Sequence, residues 1–123
     1  MSADDVDIAG QFLAVLARVA NTGERELLYR FLADDVEWLT PRRDLTGIDE
    51  VREELTWITT PENFDLEFEA TRTNDLGGGR IVTDVHELYR ARTTGEVAHS
   101  RERQIELTIR DGKVARYRMR VVG

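Results

Sequence analysis

The chain has 123 residues, a formal net charge of −7, no cysteine and two histidines. It can form neither a disulfide nor a thiolate metal site, and its histidines lack the spacing of a zinc site. An acidic chain also lacks the basic footprint of a protein that binds nucleic acid. No apolar run approaches the ~20 residues of a membrane span, and the N-terminal residues do not resemble a signal peptide. We expect one cytoplasmic domain, residues 1–123, that binds neither nucleic acid nor a membrane.

The first half of the chain has apolar residues at a spacing of three to four, which predicts amphipathic helices. A capping-box pattern, Thr46-Gly-Ile-Asp49, marks the start of the third of these helices. The predicted elements, in chain order, are a helix over Asp4–Ala20, a stop at Asn21–Gly23, a helix over Glu24–Leu32, a turn over Ala33–Asp35, a strand over Val36–Thr40, a solvated polar loop over Arg42–Leu45, and a helix from Ile48 through Ile58.

The second half alternates apolar and polar residues, which predicts strands with one buried face. Three helices before a run of antiparallel strands predict an α+β fold, in which a strongly curved antiparallel sheet folds over the helices as a cone with one open end. The predicted strands are Phe64–Thr73, Arg80–Arg92, Glu96–Ile109 and Lys113–Val122, with turns at Asn74–Gly79, Thr93–Gly95 and Arg110–Gly112.

The last hairpin admits two registers, and the register decides which side chains share a face. A two-residue loop sets Leu107 opposite Arg116, whereas a three-residue loop sets Glu106 opposite Arg116. We predict the three-residue loop, because it pairs opposite charges on one face and apolar residues on the other. In the first strand of this hairpin, the side chains predicted to face inward are Leu107, Ile105, Arg103 and Arg101. The outer face of the hairpin is predicted to carry Glu102, Gln104, Glu106, Arg116, Arg118 and Arg120.

Several segments together resemble the nuclear transport factor 2-like (NTF2-like) superfamily in its SnoaL-like branch. They are the paired helices around Gly23, Phe31-Leu-Ala-Asp-Asp-Val-Glu-Trp, Thr46-Gly-Ile-Asp-Glu-Val-Arg and Leu107-Thr-Ile-Arg-Asp-Gly-Lys-Val. The resemblance covers roughly Ile8–Val122. It implies a cystatin-like cone in which three N-terminal helices pack on the sheet and leave a ligand-sized pocket. It also implies a homodimer through the convex sheet face, and it implies no cofactor.

The catalytic residues of these relatives do not carry over to the chain. In the ketosteroid isomerase branch the base corresponds to Thr40, and the two oxyanion-binding residues correspond to Leu16 and Ile105. Arg120–Gly123 lacks the acid that SnoaL-type cyclases tend to have near the end of the last strand. Arg101-Glu102-Arg103 has a cation where the epoxide hydrolases have an aspartate. The resemblance therefore implies a fold and leaves the activity open.

The strand that precedes the last hairpin, Arg80–Arg92, supplies a second row of inward-facing side chains. A three-residue loop at Thr93–Gly95 predicts the pairs Tyr89 with His99, Glu87 with Arg101, and Val85 with Arg103. The predicted catalytic residues are Glu87, Arg101 and Arg103. The predicted ligand-binding residues are Trp38, Thr40, Tyr89, His99, Tyr117, Met119 and Trp57, with Val85 also in the predicted lining and Leu16 closing the pocket from the first helix.

Glu87 with its arginines has three interpretations. Glu87 would move a proton while an arginine stabilises negative charge on a carbonyl oxygen. Alternatively, Arg101 and Arg103 would bind the carboxylate of an acidic ligand. In the third interpretation the charges only neutralise each other in a salt bridge. A nearby cation favours the ionised form of a carboxyl group, which would make Glu87 a weak base.

The two histidines are predicted to lie on opposite faces. His99 beside Tyr89 is either a proton-transfer pair or an exposed edge histidine, and His86 lies with Glu102 on the outer face. The leading function is binding of a small, largely apolar molecule with a carbonyl or carboxylate group, with isomerase-, cyclase- or dehydratase-type proton transfer as its chemistry. The alternative is a non-catalytic accessory or dimerisation module whose cone is filled by its own side chains. An open pocket with converging polar groups would favour the first.

Overall fold

The computed structural model describes residues 2–54 and 62–122. Its helices pack on one six-stranded curved sheet, which confirms the predicted α+β cone. The elements are helices α1 (Ser2–Thr22), α2 (Glu26–Tyr29) and α3 (Ile48–Glu54), and strands β1 (Leu32–Leu39), β2 (Asp44–Thr46), β3 (Phe64–Gly77), β4 (Arg80–Ala91), β5 (Val97–Arg110) and β6 (Lys113–Val121). The end of the third predicted helix, with Trp57, lies outside the described residues.

The strand order is β2-β1-β6-β5-β4-β3. Every neighbouring pair is antiparallel except β1 and β6, which run parallel with Trp38 opposite Tyr117. The prediction of a purely antiparallel sheet is therefore wrong for this one pair. No hairpin joins β1 to β6, so their relative direction is not set by a tight turn but by the return of the chain through the rest of the fold.

The predicted solvated loop over Arg42–Leu45 is wrong, because Asp44–Thr46 forms β2. This strand pairs antiparallel with β1 and sets Leu45 opposite Trp38. Leu45 is 3% exposed, so the strand is held by burial as well as by its backbone bonds. The backbone N–H of Thr40 donates to the carbonyl of Arg43 at 3.0 Å and closes the turn between the two strands.

Helix α1 is confirmed, and it extends two residues beyond each predicted end, to Ser2 and Thr22. Gly23 follows with a φ of 78°, and its N–H donates to the carbonyl of Val19 at 2.8 Å, as in a glycine C-cap. Helix α2 is shorter than predicted, because Leu32 already pairs with Val114 in the sheet. The predicted turn over Ala33–Asp35 is an irregularity inside β1, between two of its paired residues.

The capping-box prediction for α3 is wrong in detail. The helix begins at Ile48, and the N–H of Thr46 donates to Glu50 Oε1 at 3.4 Å rather than to Asp49. The predicted end of the strand Phe64–Thr73 and the predicted turn over Asn74–Gly79 are also wrong. Strand β3 continues to Gly77 because its residues keep pairing with β4 as far as Arg80.

The register predicted for β5 and β6 is wrong by two residues. Asp111 and Gly112 both have positive φ, 54° and 76°, which makes a two-residue hairpin loop. One extra residue in β6, at Ala115, then shifts the pairing so that Leu107 faces Tyr117 and Glu106 faces Arg118. Because a shift of two residues leaves each side chain on its original face, the predicted division into an inner and an outer face is confirmed.

The register predicted for β4 and β5 is confirmed, with Tyr89 opposite His99 and Glu87 opposite Arg101. The three-residue loop behind that prediction is wrong. The N–H of Ala91 donates to the carbonyl of Glu96 at 2.9 Å, so four residues form the loop. An irregularity after Tyr89 compensates for the longer loop.

Helix α1 lies in the concave face of the sheet and supplies much of the core. Phe12 and Val19 are 0% exposed, and the core continues onto the inner residues of β1, β4, β5 and β6. Asn21 fixes the end of α1 to β3, since its side-chain amide donates to the carbonyl of Leu66 at 2.9 Å and accepts from the N–H of Leu66 at 2.7 Å. Over residues 2–54 and 62–122, no helix has the length and apolar character that crossing a bilayer requires.

Candidate functional site

A cavity of about 370 Å³ lies between the C-terminal half of α1 and the concave face of the sheet. It is found where β1, β4 and β6 end and where β3 and β5 begin. Its lining residues come from all of these elements and from the turn after β1. They are Leu16, Ala20, Trp38, Thr40, Pro41, Arg42, Leu66, Phe68, Glu87, Tyr89, Arg101, Arg103, Tyr117, Met119 and Val121.

The inner wall of the cavity is aromatic. Trp38 stacks on Tyr117 with ring centroids 4.1 Å apart and an interplanar angle of 25°, and Phe12 packs against Tyr117 at 5.7 Å. Burial, followed by the negative charge of Glu87, raises the pKa of the Tyr117 phenol above its ordinary value, and Arg103 opposes this shift. Tyr117 therefore stays a neutral hydroxyl at neutral pH.

Glu87 is the centre of the polar wall. Its Oε1 accepts a hydrogen bond from the Tyr89 hydroxyl at 2.8 Å, and its Oε2 lies 3.6 Å from Arg103 Nε. The two charged side chains are 13% and 9% exposed, so this pair lies inside the fold. At 3.6 Å the contact is an ion pair without a hydrogen bond. Arg103 Nε has no acceptor among the described residues, while Nη1 donates to the carbonyl of Glu102 at 3.2 Å.

Tyr89 is tied electrostatically to the same group. Burial is the main cause that raises the pKa of Tyr89 to about 12, followed by the hydrogen bond to Glu87 and the negative charge of that carboxylate. The positive charges of Arg101 and Arg103 act in the opposite direction. Tyr89 is therefore a neutral donor across the physiological pH range.

Arg101 is held at the outer end of the wall by His99. Arg101 Nε donates to His99 Nε2 at 2.7 Å. The rings of His99 and Tyr89 lie 6.0 Å apart between centroids. The two residues are cross-strand neighbours, but the hydroxyl of Tyr89 is directed to Glu87 and the acceptor nitrogen of His99 is directed to Arg101.

The structure brings most of the predicted site residues together at this cavity. His99 is exposed and lies outside the lining, Val85 is buried in the core, and Trp57 falls outside the described residues. The hydroxyl of Thr40 contacts Arg43, whose carbonyl accepts from it at 3.1 Å and whose N–H donates to it at 3.2 Å. The predicted residues that line the cavity are Leu16, Trp38, Thr40, Glu87, Tyr89, Arg101, Arg103, Tyr117 and Met119.

Sequence reasoning missed the part of the lining that β3 contributes. Leu66 faces Tyr89 and Phe68 faces Glu87 across the β3–β4 ladder, which sets two apolar side chains beside the polar wall. The strict alternation of β3 marked these residues as inward-facing and could have placed them in the pocket. Arg42 also lines the cavity, although its loop was predicted to be solvated.

The opposite, convex face carries His86 between two carboxylates. Its Nδ1 lies 3.7 Å from Glu69 Oε1 and its Nε2 lies 3.5 Å from Glu102 Oε1. The prediction that His86 lies away from the pocket, with Glu102, is confirmed. His86 therefore takes no part in the chemistry of the cavity.

No protein-family model matches the sequence, and no curated protein matches it. Solved structures do resemble it. An NTF2-like protein from Anabaena variabilis aligns over 99% of this chain and 92% of its own, with a TM-score of 0.77 and 16% identity. The chain has the nuclear transport factor 2-like fold, as predicted.

Two other solved structures share this fold. A candidate polyketide cyclase from Xanthomonas campestris pv. campestris aligns over 96% of this chain and 90% of its own, with a TM-score of 0.72 and 15% identity. TerC, which was co-crystallised with polyporic acid, aligns over 97% of this chain and 92% of its own, with a TM-score of 0.71 and 17% identity. At these identities the structural similarity establishes the fold alone, and any activity must be argued from the cavity.

Proposed function

We propose that the cavity binds a small, largely apolar molecule that carries a carboxylate or a carbonyl oxygen. The observation that carries this proposal is the polar wall, where Arg101 and Arg103 outnumber the carboxylate of Glu87. A guanidinium group binds a carboxylate through two parallel hydrogen bonds and donates to a carbonyl through one. An oxygen of the ligand would therefore give the unsatisfied Arg103 Nε the acceptor that it lacks among the described residues.

The rest of the cavity supports an apolar ligand body. Trp38, Tyr117, Leu66 and Phe68 form walls without a charged group. A volume of about 370 Å³ lies within the roughly 300–1,000 Å³ of small-molecule sites. This open volume also favours ligand binding over the alternative of an accessory module with a filled interior. The co-crystal of TerC with an acid supports the use of this fold for acidic ligands.

Proton transfer by Glu87 is the second part of the proposal. Both carboxylate oxygens of Glu87 have partners in the structure, Tyr89 and Arg103. A ligand carbonyl that attracts Arg103 would leave one oxygen of Glu87 able to take a proton from the adjacent carbon. Isomerase- or cyclase-type chemistry of this kind is consistent with the candidate cyclase among the structural neighbours.

The binding proposal is tested with geranic acid, a ten-carbon carboxylic acid, and with its uncharged methyl ester. Measured by calorimetric titration, Arg103→Gln should weaken the binding of geranic acid by about tenfold or more and leave the affinity for the ester nearly unchanged. Arg92→Gln is the matched control, because Arg92 pairs with Asp65 outside the cavity. Equal affinities of the acid for the parent chain and for Arg103→Gln would contradict the proposal.

The catalytic part is tested by exchange of the α-protons of a ketone, 2-decalone, in heavy water followed by NMR. The parent chain should accelerate the exchange, and Glu87→Gln should abolish the acceleration. The same substitution should tighten the binding of geranic acid severalfold, since it removes the negative charge that lies 3.6 Å from Arg103. If Glu87→Gln changed neither the exchange nor the affinity, Glu87 would have only a structural role.

We also propose that two copies of the chain associate through the convex face of the sheet. Support comes from Val97, 44% exposed on that face, and from the half-exposed side chain of His86, which lies on the same face between Glu69 and Glu102. Native mass spectrometry tests the proposal by the mass of the intact species. A monomer at every concentration up to about 100 μM would exclude an association of the usual micromolar strength.

A further inference from the structure

A second cavity, of about 390 Å³, lies beside the first at the end of β1. We call it the arginine groove, after three arginines of β6 that line it. The groove and the first cavity share Thr40, Pro41, Met119 and Val121, so the two open next to each other. The lining of the groove consists of Leu39, Thr40, Pro41, Asp44, Arg116, Arg118, Met119, Arg120 and Val121.

The three arginines have the arrangement of an anion-binding row. Arg116, Arg118 and Arg120 alternate along β6, so they project from one face with neighbouring Cα atoms about 7 Å apart. Within residues 2–54 and 62–122, none of the three makes an ion pair or a side-chain hydrogen bond. Arg116 Nε is buried, and it has no hydrogen-bond acceptor among the described residues. Guanidinium groups without carboxylate partners are available to a ligand.

The nearby carboxylates do not neutralise this row. Glu106 faces Arg118 across the ladder, but it binds Arg80 at 3.2 Å. Glu37 pairs with Arg116 only through the backbone ladder. Asp44 is the one carboxylate among the described residues that line the groove, and these residues contribute three cations and one anion.

The backbone of β6 is also open at this place. The pairing of β1 with β6 ends at Leu39 and Arg118, and among the described strands residues 119–121 of β6 pair with β5 only. Three residues give too short an edge for an added peptide strand, which normally pairs over several residues. The groove therefore suits a small ligand better than an extended peptide.

We propose that the arginine groove binds a multiply charged oxyanion, a phosphate or polycarboxylate group, that forms the tail of the ligand whose apolar body occupies the first cavity. The assignment of the body rests on the proposed function, whereas the anion site rests on the arginines alone. A ligand with a charged tail would cross Met119 and Val121, two of the four residues common to both cavities. The ligand class is thus an amphipathic molecule with an apolar body and an anionic tail.

Three probes separate the two cavities: geraniol for the apolar body, inorganic diphosphate for the tail, and geranyl diphosphate for both. Geranyl diphosphate should bind at least about tenfold more tightly than geraniol. Arg120→Gln and Arg118→Gln should each remove most of this advantage and leave the affinity for geraniol unchanged. The advantage should also shrink at high salt, because exposed charges are screened.

Arg72→Gln is the matched control. It removes one exposed positive charge from β3, at the opposite edge of the sheet, and should leave all three affinities unchanged. Arg120 is exposed, so its replacement should not disturb folding, and near-ultraviolet circular dichroism checks this. Competition by inorganic tripolyphosphate or by citrate then distinguishes a phosphate tail from a polycarboxylate tail.

Two results would overturn the groove as a ligand site. One is equal affinity for geraniol and geranyl diphosphate, with no binding of diphosphate. The other is a change in the oligomeric mass of Arg120→Gln with unchanged diphosphate affinity, which would assign the arginines to an interface between copies. Failure of the proposed function has a different signature. Geraniol and geranic acid would not bind, while binding of diphosphate that depends on Arg120 would still support the anion site.

Discussion

The concave face of the sheet is solid at one end and hollow at the other, although the same strands build both. At the solid end Ile81, Ile105 and Leu107 are 0% exposed and pack beneath α1. At the hollow end the inward residues of β4 and β5 include Glu87 and Arg103, which border the cavity. The pleat decides which side chains face inward, and their chemistry decides whether the space closes. Stability should therefore depend on the solid end and ligand recognition on the hollow end.

The largest effect is expected from removing volume at the solid end. Leu107→Ala should lower the free energy of unfolding by about 2–5 kcal/mol, because it leaves a void in a close-packed region. Met119→Ala, at the rim of the cavity, should cost no more than about 1 kcal/mol, since Met119 is only partly buried. Urea denaturation measures both. Equal costs would mean that the two ends do not differ in packing.

The next effect concerns Gly79, which braces the solid end. Gly79 has a φ of 81°, its carbonyl accepts from the N–H of Ile109 at 2.7 Å, and an added Cβ would lie 2.1 Å from the Ile109 oxygen. Gly79→Ala should therefore cost about 2–4 kcal/mol. Gly78→Ala is the matched control. It has a φ of 63° with open space around it, and it should cost about 1 kcal/mol.

A double-mutant cycle on Glu87 and Arg103 tests the hollow end. Arg103→Met should destabilise the fold by about 2 kcal/mol, because it leaves the carboxylate of Glu87 without its cation. Combined with Glu87→Gln, the cost should be smaller than the sum of the single changes by about 1 kcal/mol. Additive costs in urea denaturation would show that the pair at 3.6 Å is not coupled.

The smallest effect is expected at Tyr89 in alkali. Its pKa of about 12 in the folded chain exceeds the ordinary value of about 10. The contribution of the neutral phenol to the free energy of unfolding is therefore fully present below pH 10. This contribution is lost as the pH rises toward 12. Tyr89→Phe should cost about 1 kcal/mol at pH 7 and should lose less stability than the parent between pH 10 and 12. A parallel decline of both proteins in that range would contradict the shift.

The faces of the sheet were predictable from the sequence, since alternation in β4 and β5 fixes them. The pairing of Glu87 with Arg101 was predicted from a three-residue loop, and it holds only because the irregularity after Tyr89 compensates for the four-residue loop of the structure. The register of β6 was not predictable in the same way. Its extra residue, Ala115, lies beside Val114, whose N–H donates to the carbonyl of Phe31 at 2.6 Å, and a contact between such distant segments leaves no local signal.

The candidate site was predictable in part for the same reason. Inward residues of β4, β5 and β6 were assigned by parity, and most of them line the cavity. Leu66 and Phe68 also face inward by alternation, and they were missed because the pairing of β3 with β4, which sets them opposite Tyr89 and Glu87, was not predicted. Strand β2 was missed because three residues with two polar side chains carry almost no periodic signal.

The parallel pairing of β1 with β6 has a consequence for the order of folding. The stacked rings of Trp38 and Tyr117 join segments about 80 residues apart, whereas β3 to β6 are joined by hairpins with short loops. Closing a long loop costs more chain entropy than closing a hairpin, so the hairpins should form first. The aromatic wall of the cavity would then be completed by the last strand to dock, and the rate of that docking should limit how soon a newly made chain can bind a ligand.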